Sequence, residues 1–286
     1  MNRLCVVVDA LNGLSQTQKS KIKRLSGGFN ALTFVINAYN PYFERSYFYN
    51  EDEFKSARDD YAARLITLID EICADFSEVE SAVDILENRK KDLATFLRPL
   101  ITEVPNTWLL LTTAELINRH TVHLEVLRTF TCPVLMFTNR GWAKQLLITA
   151  AIDPVHQEDI NLDTDRMIVS HAKTVSDLLS ARLKIVHSRY VPRSLDEYRQ
   201  EIRLFHNRAV EWFTQKEKLE NINVESINGN PEDSLVSYVQ SNGTDLLVMG
   251  SLSRDSENRW FVGSTSENIL HKMPCDILFV NYRNEV

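Results

Sequence analysis

An apolar run, Leu246 to Met249, stops at Gly250, and further on a second glycine, Gly263, is followed by Ser264, Thr265 and Ser266 in the stretch LLVMGSLSRDSENRWFVGSTSEN. A glycine at a strand end lets backbone approach a phosphate with no Cβ between them. Amides that open a helix donate to an anion, helped by the helix dipole. The chemistry offered is anion holding. Asp153, in TAAIDP, adds a carboxylate that can bind ribose hydroxyls or help hold a divalent cation.

Bond-breaking machinery does not assemble from the same residues. The serines at 251, 253, 264 and 266 lack a GxSxG elbow and identifiable His and Asp partners. No GxxxxGK[ST] loop and no strand-linked GxGxxG is present. His120 and His123 stand three apart on a predicted helix but lack a third metal ligand nearby, so they read as surface histidines. DPVHQED gathers Asp153, His156, Glu158 and Asp159, which reads as a solvated loop before it reads as a metal site. His187 falls within a strand and reads as a core or strand-end histidine with its hydrogen bonds satisfied.

The elements that must position these residues come as a repeat. TCPVLMFTNR (131–140) and MPCDILFVNYR (273–283) each carry a Cys, a short apolar run and a polar stop. Before each lies a helical stretch, TVHLEVLRTF or STSENILHKM, and before that an apolar strand, TWLLLTT or TDLLVMGS. Further back LCVVVDA pairs with QLLITAAID, ALTFVINAY with RLKIVHSRYV, and long charged helices at 51–75 and 195–219 hold equivalent places. Strands alternating with helices imply parallel βαβ units with right-handed crossovers.

In the second half the strands are expected near 145–151, 183–190, 222–227, 245–250 and 276–281, and the helices near 162–180, 195–219, 231–241 and 264–272. Asn230-Pro231 and the Ser264–Glu267 capping box mark helix starts. In such a sheet ligands bind beyond the carboxyl ends of the strands, where Ala151, Asp153, Ser188 and Gly250 are expected to converge. On the long helix, Tyr198, Ile202, Phe205, Ala209, Trp212 and Phe213 read as a core stripe against the sheet.

Composition bounds the reading. The 286 residues favour two domains, and 44% hydrophobic with 25% charged residues suits buried cores. A formal charge of -7 argues against a nucleic-acid partner, whose phosphates need a basic face. No run approaches the length of a membrane span, and MNRLCVVVDALNG reads as a first strand rather than a leader. Cys5, Cys73, Cys132 and Cys275, without CxxC spacing, read as buried free thiols in a reducing cytoplasm.

The spacing Gly250, Ser253, Gly263, Ser264, with TDLLVMGS before it and GSTSENILHKMPCDILFVN after it, resembles the nucleotide loop of the universal stress protein family. With the degenerate first half included, the chain resembles that family's tandem, E-type members. The resemblance implies two Rossmann-like, adenine nucleotide alpha hydrolase-like α/β domains, at 1–139 and 143–286, each a five-stranded parallel sheet flanked by helices. It implies a non-enzymatic role in stress survival, with ATP bound by some members, and it matches Asp153 to the aspartate that contacts the nucleotide.

The cofactor expected is therefore ATP with magnesium, held only by the second half at Ala151, Asp153, Ser188, Gly250, Ser253, Gly263, Ser264 and Thr265. Ser253 stands where the ATP-binding members have glycine; in a left-handed backbone a serine there costs roughly 1–2 kcal/mol, about tenfold in affinity. In the first half, Thr113 to Cys132 is 19 positions against 25 from Gly250 to Cys275, so six loop residues are missing. The alternative reading is a scaffold with a vestigial site that binds partner proteins or an apolar ligand between the halves, and pairing into a homodimer is left open.

Overall fold

The computed structural model describes residues 1–40, 43, 50–112, 120–155, 159–251 and 264–280. The chain divides into two compact units, Met1–His120 and Thr121–Val286.

In the first unit β1 (Arg3–Asp9), β2 (Ala31–Asn37), β3 (Ala82–Asn88) and β4 (Thr107–Thr112) form a parallel sheet in the order β3-β2-β1-β4. β1 and β4 are apolar almost throughout and buried, as strands covered on both faces must be, whereas the edge strand β3 is exposed or half-buried up to Asn88, which is buried. The connections are α1 (Gln16–Ser26), α2 (Glu51–Asp75) and α3 (Leu93–Thr102). Each begins where a polar side chain satisfies an open amide: Ser15, Asn50 and Asp92 accept from Gln18, Glu53 and Thr95.

The second unit holds α4 from residue 121 of its range His120–Thr129, then β5 (Val134–Phe137), β6 (Leu147–Ile152), α5 (Asp159–Leu179) and β7 (Arg182–Arg189). A 3₁₀ turn (Arg193–Tyr198) leads into α6 (Arg199–Lys216), followed by β8 (Asn223–Asn228), α7 (Pro231–Asn242), β9 (Leu246–Gly250), α8 (Ser264–Lys272) and β10 (Asp276–Val280). Its sheet runs β5-β10-β9-β6-β7-β8, parallel except that β5 meets β10 antiparallel. The chain moves outward from β6 to β8 and then returns to β9 on the other side of β6. The order therefore reverses between β6 and β9.

β5 is the last strand of the first sequence repeat, yet it is hydrogen-bonded to the last strand of the second. Two buried carboxylates fix the segment that follows it. Asp276 accepts from the Thr138 amide (2.7 Å), the Thr138 hydroxyl (2.8 Å) and the Trp142 indole (2.7 Å). Asp245 accepts from the amides of Ala143 and Leu147, both at 3.0 Å.

Three expectations need correction. The long helix of the second half is interrupted: Pro192 precedes the turn, Leu195 is non-helical (φ -116°, ψ 21°), and the α-helix starts only at Arg199. The sheet buries His206, Ala209, Val210 and Phe213 of α6, leaving Tyr198, Phe205 and Trp212 exposed, so half of the expected core stripe faces water. Of the four thiols Cys5 and Cys275 are buried, Cys132 is half-buried and Cys73 is exposed on α2. Burial pushes the Cys132 thiol up to about 12 and raises that of Cys275 as well, aided there by the Asp276 charge.

Candidate functional site

The register across β6, β7 and β9 sets Ala150 beside Val248, Ala151 beside Val186 and Ile152 beside His187. Asp153, Ser188 and Gly250 therefore emerge at the same end of three adjacent strands, at the point where the strand order reverses. Asp153 is half-buried, its side chain 36% exposed, and its amide donates to the carboxylate of Asp165 at 3.1 Å. Asp165, fully buried on α5, thereby pins the turn after β6.

Beside Asp153 lies a buried pair of imidazoles. His187 Nε2 is 2.7 Å from Nδ1 of His206, and His187 Nδ1 is 3.2 Å from the Ile152 carbonyl oxygen and 3.8 Å from the Asp153 carboxylate. A hydrogen bond between the rings requires a proton on one of the two facing nitrogens, and the Ile152 carbonyl can only accept, from His187 Nδ1. Burial, and then the neighbouring His187 charge, holds His206 below the ordinary imidazole range, while Asp153 and the Tyr190 carbonyl pull the other way. The reading of His187 as a strand-end histidine with its bonds made agrees with this geometry. Its partner His206 is not singled out by spacing alone; the signal lies in its place one turn before Val210 on the buried face of α6.

Ser188 donates to the Gly229 carbonyl at 2.8 Å and is 3.2 Å from the Ser234 hydroxyl, so it ties β7 to the loop opening α7. Gly250 has a packing reason for its missing side chain: a Cβ there would stand 3.2 Å from the Thr164 methyl on α5. Its carbonyl accepts from the Ser266 hydroxyl at 2.9 Å, which anchors the first turn of α8 to the end of β9. Thr265 is half-buried in that turn and Ala151 is half-buried in β6.

Ser253 and Gly263 lie outside the described residues, and so does the side chain of Ser264, whose backbone opens α8. The shortened loop of the first half, 113–119, lies outside them too, as do His156 and Glu158 and the side chains of His120, His123 and Asp159. Among the described residues no group of three or more His, Cys, Asp or Glu side chains is placed to hold a metal. None of their helices is long and apolar enough to cross a membrane.

Residues 167–281 match the model of the universal stress protein family. No curated protein matches the chain significantly. Among solved structures, a candidate universal stress protein from Pseudomonas aeruginosa UCBPP-PA14 is similar over 97% of this chain and 92% of its own, with TM-score 0.70 and 17% identity. A universal stress protein from Archaeoglobus fulgidus DSM 4304 is similar over 99% and 97%, with TM-score 0.64 and 14% identity. The cytoplasmic domain of a prokaryotic cation chloride cotransporter is similar over 97% and 94%, with TM-score 0.59 and 13% identity. At these identities the likeness is one of fold, which unrelated functions share. Residues 167–281 are similar to the universal stress protein family, and the whole chain has the α/β fold of solved proteins of that name.

Proposed function

We propose that the protein is a non-enzymatic, cytoplasmic stress-response protein built of two copies, 1–139 and 143–286, of which only the second holds an adenine nucleotide. The observation that carries the reading is the position of Asp153, at the strand end beside the reversal of strand order, with its carboxylate reaching solvent. Asp153 would receive ribose hydroxyls, and Ala151 and Ser188 would border the sugar and base. The amides of Ser253, Gly263, Ser264 and Thr265 would take the phosphates. Magnesium is ordinarily held by one or two carboxylates together with phosphate oxygens and water, a donor set that a single carboxylate at this place fits. Gly250 supports the reading less, because α5 already accounts for its missing Cβ.

Equilibrium dialysis with labelled ATP and magnesium tests the proposal. The wild-type chain retains nucleotide, and Gly263→Val, which places a branched side chain among the proposed phosphate amides, retains it at least about tenfold less tightly. Equal retention by the two removes the nucleotide from the account.

A further inference from the structure

Among the described residues six of the eight large apolar side chains left exposed lie between positions 190 and 212, on α6 and the segment leading into it. Three of them recur every seven residues: Tyr198 is 52% exposed, Phe205 50% and Trp212 38%. Between them, also exposed, stand Glu201 and Arg208. At 3.6 residues per turn Glu201, Phe205, Arg208 and Trp212 fall within an arc of about 60°, roughly a third of a turn from the buried face. The spacing of three then four residues is that of a helix seam that packs on another helix.

The order of types along this seam selects its occupant. Read forward it is aromatic, acid, aromatic, base, aromatic; read backward, acid and base exchange places while the aromatics do not. Two copies of α6 laid antiparallel about a two-fold axis near Leu204 and Phe205 set Tyr198 opposite Trp212 of the second copy. The same axis sets Glu201 opposite Arg208 of the second copy and packs Leu204 and Phe205 together at the centre. With a 1.5 Å rise per residue, each of these pairs is level to within about 1 Å. A parallel arrangement would face Glu201 with Glu201 and Arg208 with Arg208, so charge favours the antiparallel one.

We propose that this seam is a self-association surface: a second copy of the chain docks antiparallel on α6 through Tyr198, Phe205 and Trp212, with Glu201 and Arg208 setting the direction. The interface is isologous, so every pair occurs twice. Phe205 lies at the axis and is the anchor, in keeping with the concentration of interface energy in central aromatic side chains. The Lys216 ammonium, 4.4 Å from the Trp212 ring centroid, covers one face of the indole and moves aside or remains at the rim.

Sedimentation equilibrium from about 1 to 200 µM chain, spanning ordinary weak-dimer affinities, is the test. The wild type is expected to dimerise in this range. Phe205→Glu raises the dimer Kd at least about a hundredfold. Glu201→Arg and Arg208→Glu each set like charges opposite each other twice and raise Kd about tenfold. The double exchange Glu201→Arg with Arg208→Glu restores opposite pairs and returns Kd to within about threefold of wild type. All of these positions are exposed, so unchanged thermal melts confirm that the variants fold.

A wild type monomeric throughout, or a dimer indifferent to Phe205→Glu, overturns the proposal. A double exchange that dimerises no better than the single reversals overturns the antiparallel pairing. Native mass spectrometry showing a monomer with an amphiphile-sized adduct, lost in Phe205→Glu, overturns it in favour of a lipid-like occupant.

Discussion

The carboxyl ends of β1 and β6 are equivalent places in the two copies, and each carries an aspartate that meets different surroundings. Asp9 is turned onto its own loop: one carboxylate oxygen accepts from the amides of Leu11 and Asn12, both at 2.9 Å, and from the Asn12 side chain at 2.8 Å. Gly13, with φ 62°, then donates to the Asp9 carbonyl and closes the turn. Asp153 instead faces His187, and its amide is held by Asp165. Register sharpens the contrast, because Val8 pairs with Ile36 in the first copy where Ile152 pairs with His187 in the second. The first copy has spent its aspartate on a turn and filled the neighbouring place with an aliphatic core residue. The second has kept a polar cluster there.

The largest expected effect comes from forcing the first solution onto the second copy. His187→Ile deprives buried His206 of its partner and costs about 2–3 kcal/mol in urea unfolding. Adding His206→Leu recovers most of that loss, since replacing both members of a buried polar pair by apolar groups is close to neutral. A double variant no more stable than the single one would show that the imidazoles do not act as a pair.

Asp9→Ala removes three acceptor contacts from one turn and should lower stability by about 1–2 kcal/mol, read by the same unfolding, with nucleotide retention unchanged. Gly250→Ala should cost about 1 kcal/mol through the contact with Thr164, and adding Thr164→Ser, which removes that methyl, should recover most of it. If the loss persists once the methyl is gone, the crowding is not the reason for the glycine.

The smallest effect is one of pH. His206 and His171 are both held below the ordinary imidazole value near 6.5, in each case chiefly by burial. Between that value and their depressed ones the unfolded chain binds more protons, so stability is full above about pH 6.5 and falls as pH drops through the window. Thermal melts should show a lower midpoint at pH 5.5 than at 7.5, and a smaller difference in the double histidine variant.

Much of this was legible in the sequence, for identifiable reasons. The apolar runs that became β6, β9 and β10 stand out against their polar flanks, and Asn230-Pro231 marks the start of α7 as expected, with Asn230 accepting from Glu232. The aspartate at the end of β6 was likewise readable from the repeat. What sequence concealed was which of two adjacent stripes on α6 the sheet would cover. Apolar spacing registers Phe205 and Phe213 alike, but the covered face is completed by His206, a polar residue made acceptable by a partner 19 positions earlier on another element. Glycine spacing was also ambiguous, because Gly250 looks the same in sequence whether a phosphate or a threonine methyl approaches it.

The asymmetry between the copies is tested most directly by isothermal titration of ATP with magnesium into wild type, Asp9→Ala and Asp153→Ala. The account predicts one site per chain, unchanged in Asp9→Ala and weakened at least about tenfold in Asp153→Ala. Two sites per chain, or equal affinity in the wild type and Asp153→Ala, would contradict it.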